Sequence, residues 1–230
     1  MVDELNRRAI PVIRFDLGEV VVAAELVGSR WVGQLRIGNR CARLEDVSGI
    51  YYRRPSAPSA PPGTDPQIGA WIEAEARWGL RGLLVALPRK LWVNWPPAVH
   101  AAEHKPWQLV EAAAAGLRVP RTAITNDPDS AASFASDAAP VLYKAFRAEP
   151  VCIGGKTHLV YATPVDARQC RSETIRLGLR FAACDFSVDH SGVWWHLEVN
   201  PAGQWAWDHP RRDAIASAIA DALTGETTPP

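Results

Sequence analysis

Apolar positions recur along the chain with two different periods, and the change of period marks the elements. Residues 1–9 read as a short helix, and IPVIRF (Ile10–Phe15) as a strand. VVVAAELV and RWVGQLRI follow as further strands, and SGIYYR (Ser48–Arg53) as another, so the opening is β-rich. PSAPSAPPGTDP then carries too much proline for a helix or a central strand and predicts an exposed loop over 55–66. Gln67–Val85 has helical spacing, with Trp71, Ala74, Trp78 and Leu83 expected to face the opening sheet, and a short LWVN strand follows.

The same reading continues beyond residue 96. His104–Ala115 predicts a helix with Trp107, Val110 and Ala114 on its inner face, closed by Gly116 in a left-handed cap. RTAIT reads as a strand, and Asn126-Asp127-Pro128 as a capped helix start. PVLYKAF and THLVYATPV are strand candidates, and RSETIRLGL a helix ending near Gly178. FAACDFSV and GVWWHLEVN form a hairpin across a DHSG turn, ahead of the amphipathic helix DAIASAIADAL. The expected division is an N-terminal domain over 1–95 and a second over 96–230, with no internal repeat.

Composition narrows the function classes. The 230 residues balance 25 basic against 25 acidic side chains, with 47% hydrophobic residues, which argues against a dedicated nucleic-acid or membrane-surface binder. The four cysteines, Cys41, Cys152, Cys170 and Cys184, are scattered and signal neither a disulfide framework nor a zinc site. MVDELNRRAIPVIRFD lacks the apolar core of a signal peptide, and the longest apolar run, LLVAL, is too short to cross a bilayer. A cytoplasmic protein is expected.

Chemistry concentrates in ACDFSVDHSGVWWHLEVNPAGQW. Side chains two apart on a strand share a face, so Glu198 and Asn200 point the same way, and a hairpin brings Asp185 beside them. Three hard oxygen donors suit Mg²⁺, which takes few protein ligands and leaves the rest to water and phosphate; a solvated polar hairpin face is the alternative. Lys144, in the apolar stretch VLYKAF, calls for an anion, and Lys105 at a helix start is favoured only beside phosphate; either could instead lie on the surface. Arg53 and Arg54 in YYRRPS suit an acidic peptide, a phosphate or a surface ion pair, and as strand neighbours only one of them can enter a given site. Gly154-Gly155-Lys156 lacks the P-loop spacing and reads as a hairpin turn. No histidine receives a catalytic role, and His196 faces away from Glu198 only if its strand is irregular.

The succession NWP…HKPWQL, YKAF, GLRFAACDF and LEVNPAGQW, preceded by IPVIRFD, WVGQL and YYRRPS, resembles the ATP-grasp ligases that mature ribosomally made peptides, the microviridin and graspetide maturases. The resemblance spans nearly the whole chain. It implies an α/β ATP-grasp fold with an N-terminal pre-ATP-grasp domain and a ligase domain. It also implies ATP phosphates on Lys105 and Lys144, Mg²⁺ on Asp185, Glu198 and Asn200, and a ribosomal precursor peptide as partner, with a homodimer left open. The implied reaction activates a peptide Asp or Glu carboxylate as an acyl phosphate, which a Ser or Thr hydroxyl or a Lys amine displaces to give an ester or amide crosslink. Relative to the family, the chain is expected to be shortened at its start and in the centre, where 41 positions separate Lys144 from Asp185. A general carboxylate-amine ligase and a degenerate, non-catalytic peptide-binding relative are the rival readings.

Overall fold

The computed structural model describes residues 1–137, 152–153, 156–157 and 167–225. They fall into two compact units, one of residues 1–99, 179–181 and the segment from Ala202, the other of residues 100–178 and 182–201.

The first unit opens with α1 (Val2–Arg7) and an antiparallel sheet of β1 (Val21–Val27), β2 (Arg30–Ile37) and β3 (Arg40–Arg43) in that order. A parallel pair, β4 (Ile50–Tyr51) with β5 (Trp92–Val93), flanks the long helix α2 (Pro66–Val85). Asp65 caps α2 by accepting from the amides of Gln67 and Ile68, and Pro66 at the first helical position gives up no needed donor. Leu84 and Leu87 pack with Leu35, Leu44 and Trp92 in one apolar cluster, supported by Leu80 and Leu83. A second cluster joins Leu5, Val93 and Trp205 to Ala216, Ile219, Ala220 and Leu223 of α7 (Arg212–Thr224). The turn before β4 reaches α7 so closely that a Cβ on Gly49 would stand 2.5 Å from the Leu223 carbonyl oxygen, leaving glycine the only residue that fits.

Arg8 ties α1 to α7. Its guanidinium donates to Glu4 of its own helix and to Asp221 and Ser217 of α7. Glu4 also accepts from Arg7, and these two arginines draw its carboxyl down to about 2, while Arg43 and then backbone amides, including that of Gly33, bring Glu45 to about 2. Each carboxyl is more acidic folded than unfolded, so its stabilisation is complete above the ordinary value of 4.5 and is lost as pH falls towards 2. The melting temperature is therefore expected to drop through that window, with a flatter acid limb in the Glu4→Gln/Glu45→Gln double variant. Calorimetric scans at stepped pH check this, and an unchanged limb would refute it.

Several expectations are corrected. Ile10–Phe15 forms no ladder; it sends Ile10 and Val12 into one cluster and Phe15 into the other. On α2 the tryptophans face solvent, Trp71 at 64% and Trp78 at 75% exposure, because the leucines of the last turns take the sheet-facing side.

In the second unit, α3 (Pro96–Ala102), whose last residues belong here, leads to α4 (Lys105–Ala114) and α5 (Pro128–Asp137). The buried residues of α4 are Gln108 and Ala112, whereas Val110 is exposed and Trp107 sits at the surface, so the expected inner face is the outer one. Gly116 follows α4 in the left-handed region (φ 83°), and Asp127 accepts from the amides of Asp129 and Ser130 at the start of α5, both as the sequence reading expects. RTAIT forms no strand and is exposed. The pair β6 (Cys152–Ile153) and β7 (Lys156–Thr157), the helix α6 (Ala167–Arg176), and the hairpin β8 (Ala183–Val188) with β9 (Trp194–Asn200) complete the unit. PVLYKAF, Gly154-Gly155 and most of THLVYATPV lie outside the described residues.

Candidate active site

The β8–β9 hairpin carries the candidate metal ligands, and its turn is built by Asp189. That carboxylate accepts from the Ser191 hydroxyl and amide, the Val193 amide and the Trp195 indole, which together hold it well below the usual carboxylate range. With the turn fixed, the register is fixed. Asp185 stands directly opposite Glu198, and Ala183 opposite Asn200. Cross-strand partners share a face, as do residues two apart, so Asp185, Glu198 and Asn200 lie on one face of the hairpin.

The ladder does not run evenly. It steps from Asp185 opposite Glu198 to Phe186 opposite His196, leaving Leu197 as an extra residue on β9. The bulge reverses the alternation: His196 and Val199, three apart, are both buried. His196 thereby faces away from Glu198, as an irregular strand requires. Its imidazole lies 3.1 Å from Glu173 of α6, with both side chains wholly buried and neither making a well-formed hydrogen bond. The approach places α6 against the buried side of β9.

Helix α4 supplies the opposite wall of this unit's site. Lys105, its first residue, places Nζ 3.0 Å from Glu198 Oε2, and both side chains are largely buried, at 18% and 20% exposure. Three positions later and so on the same helix face, Gln108 donates to the Val199 carbonyl and accepts from the Val199 amide. Glu111, three further on, accepts from Arg176 of α6 at 2.6 Å. One face of α4 therefore contacts both the strand bearing Glu198 and the helix bearing Glu173. Two carboxylates and an amide oxygen beside an ammonium make an anionic, oxygen-rich set, which suits a hard divalent cation with phosphate close by. Among the described residues, no group of three or more His, Cys, Asp or Glu is placed to hold a metal ion.

Arg53 and Arg54 belong to the first unit. The guanidinium of Arg53 lies 5.8 Å from the centre of the Trp205 ring, and the Trp205 indole donates to the Tyr51 hydroxyl at 2.8 Å. YYRRPS and the GQW that follows Asn200-Pro201-Ala202 thus meet in space. Arg53 is half-buried, whereas Arg54 has a positive φ of 42° and is exposed, and neither forms an ion pair among the described residues. Lys144 lies outside the described residues. Gln108 and the Glu173–His196 pair escaped the sequence reading; the one available signal was that a glutamine and a glutamate interrupt otherwise ordinary helix faces.

No protein-family model and no curated protein matches the chain. Solved structures do. The macrocyclase MdnC of Microcystis aeruginosa MRC, bound with the precursor peptide MdnA, superposes with a TM-score of 0.82 at 21% identity over 97% of this chain and 94% of that one. A RiPP-associated ATP-grasp ligase of Chryseobacterium gregarium, in complex with ADP and a leader and core peptide, gives 0.80 at 18% identity over 98% and 92%. The chain has the ATP-grasp fold. The ATP-grasp ligase PsnB, complexed with a minimal precursor, Mg and ADP, matches more loosely, with a TM-score of 0.67 at 17% identity over 96% of this chain and 92% of that one. Among the described residues of this ATP-grasp chain, no helix is long and apolar enough to cross a membrane.

Proposed function

We propose that the chain is an ATP-dependent peptide maturase that crosslinks side chains of a ribosomally made precursor peptide. The carrying observation is the single hairpin face that sets Asp185 opposite Glu198, with Asn200 beside them and Lys105 on Glu198. The peptide-bound ATP-grasp ligases of the same fold support the substrate class. In this reading Asp185, Glu198 and Asn200 hold Mg²⁺, which when bound neutralises charge on the triphosphate. Lys105 and Lys144 contact the phosphates. An oxygen of a peptide Asp or Glu carboxylate attacks the γ-phosphorus, and ADP leaves. A Ser or Thr hydroxyl or a Lys amine then attacks the acyl carbon, losing its proton as phosphate departs, and an ester or amide remains. Arg53, held over Trp205 with no carboxylate partner among the described residues, is the better placed of the two arginines to meet an acidic side chain of the peptide. The functional division is an N-terminal domain to about residue 95 and a ligase domain over 96–230, working in the cytoplasm.

Titration calorimetry with ATP and Mg²⁺ tests the nucleotide half of this reading. Lys144→Ala should weaken ATP binding by about 1.5 to 3 kcal/mol, the range of a hydrogen bond to a charged group, while the melting temperature without nucleotide stays nearly unchanged. Equal affinity in variant and parent would remove Lys144 from the site.

A further inference from the structure

Both main-chain groups of Val199, the residue between Glu198 and Asn200, bond to one side chain, that of Gln108. In an antiparallel pair the amide and carbonyl of one residue point to the same side, so these two groups lie on the edge of β9 turned away from β8. Among the described residues the hairpin is a two-stranded sheet; further back on the outer edge of β9 the His196 amide donates to the Arg118 carbonyl, and at Val199 Gln108 takes the place a third strand would. Gln108 is 3% exposed, and its amide nitrogen also donates to the Ala102 carbonyl, so neither end can rotate without losing a partner. Lys105, on the same face of α4, meets the Glu198 carboxylate.

We propose that Gln108 is a positioning residue for the metal-binding face: its side-chain amide clasps the Val199 peptide and so fixes Glu198 and Asn200 at a set distance from Lys105. This deepens the ligase reading and rests on it. A leucine or methionine at 108 would fill the same volume, yet it would leave the edge of β9 free to shift between the two ligand-bearing residues. Glutamine supplies a donor and an acceptor on one planar group, the pairing a strand edge presents. Asparagine, one methylene shorter, would not span from α4 to β9.

The experiment compares full-length Gln108→Met with Leu177→Ala, which opens a cavity in the same unit at a residue 2% exposed and outside the ligand face. Binding of ATP is titrated at stepped Mg²⁺ concentrations, at a temperature where unliganded melting curves show both variants folded. Gln108→Met is expected to raise the Mg²⁺ concentration for half-maximal ATP binding about tenfold or more, as loss of a group orienting metal ligands does, while Leu177→Ala lowers the melting point and leaves that requirement unchanged. If Gln108→Met does not fold, Gln108→Asn is read on the same scale with the same expectation. A glutamine variant that tracks Leu177→Ala, losing stability without a change in Mg²⁺ requirement, overturns the inference alone. A wild-type chain that shows no Mg²⁺-dependent ATP binding overturns the ligase reading, and the inference falls with it.

Discussion

Glu198→Gln is expected to cut ATP-dependent crosslinking about 100-fold or more, with almost no change in melting temperature. The substitution is nearly isosteric and removes one of two carboxylates that face each other across the hairpin, Glu198 opposite Asp185. Losing that like-charge opposition offsets the lost ion pair with Lys105 at 3.0 Å, so the fold has little reason to suffer. The chemistry does have reason to suffer. A neutral amide binds a hard divalent cation poorly, and the triphosphate would enter a site with one negative ligand instead of two. Product formation followed by mass spectrometry, with a parallel melting curve, checks the prediction. A variant within a fewfold of wild type would take Glu198 out of the metal set.

Asn94→Leu should be the most damaging substitution for stability. Asn94 is 2% exposed; its side-chain oxygen accepts from the amides of Arg180 and Phe181 at 2.7 and 2.9 Å, and its nitrogen donates to the Phe181 carbonyl at 2.6 Å. These bonds hold the short segment 179–181 inside the first unit, where Phe181 packs against the Val93 and Trp205 cluster. Leucine fits the volume but cannot pair with two amides and a carbonyl. Each unsatisfied buried group costs about 1–3 kcal/mol, so a loss of about 3–5 kcal/mol is expected. That is a large share of the ~5–15 kcal/mol that holds a domain together. Urea denaturation measures it, and a loss under about 1 kcal/mol would show that the segment is held by other contacts.

The hairpin was legible because its signals are local. A two-residue period, the DHSG turn and the abrupt Asn200-Pro201 end place Asp185, Glu198 and Asn200 on one face without any knowledge of the rest of the chain. The caps were legible for the same reason: Gly116 and Asp127 act on amides and carbonyls a few residues away. What the sequence hid depends on partners distant in the chain. On α2 both sides offer apolar residues, and the sheet takes the leucines and leaves Trp71 and Trp78 outside. On α4 the pattern favoured Trp107 and Val110, whereas the interior takes Gln108, because only the fold shows that β9 arrives there with the Val199 amide and carbonyl turned toward the helix. The Leu197 bulge likewise has no local signature, and it is what turns His196 toward Glu173.

The most direct test of the proposed activity incubates the full chain with its precursor peptide, ATP and Mg²⁺ and weighs the peptide. Loss of one water per ring, seen only with ATP and Mg²⁺ both present and abolished in Glu198→Gln, is the expected result. A peptide of unchanged mass, from a folded chain that binds the peptide but no nucleotide, would contradict it and leave an ATP-grasp fold that serves for binding alone.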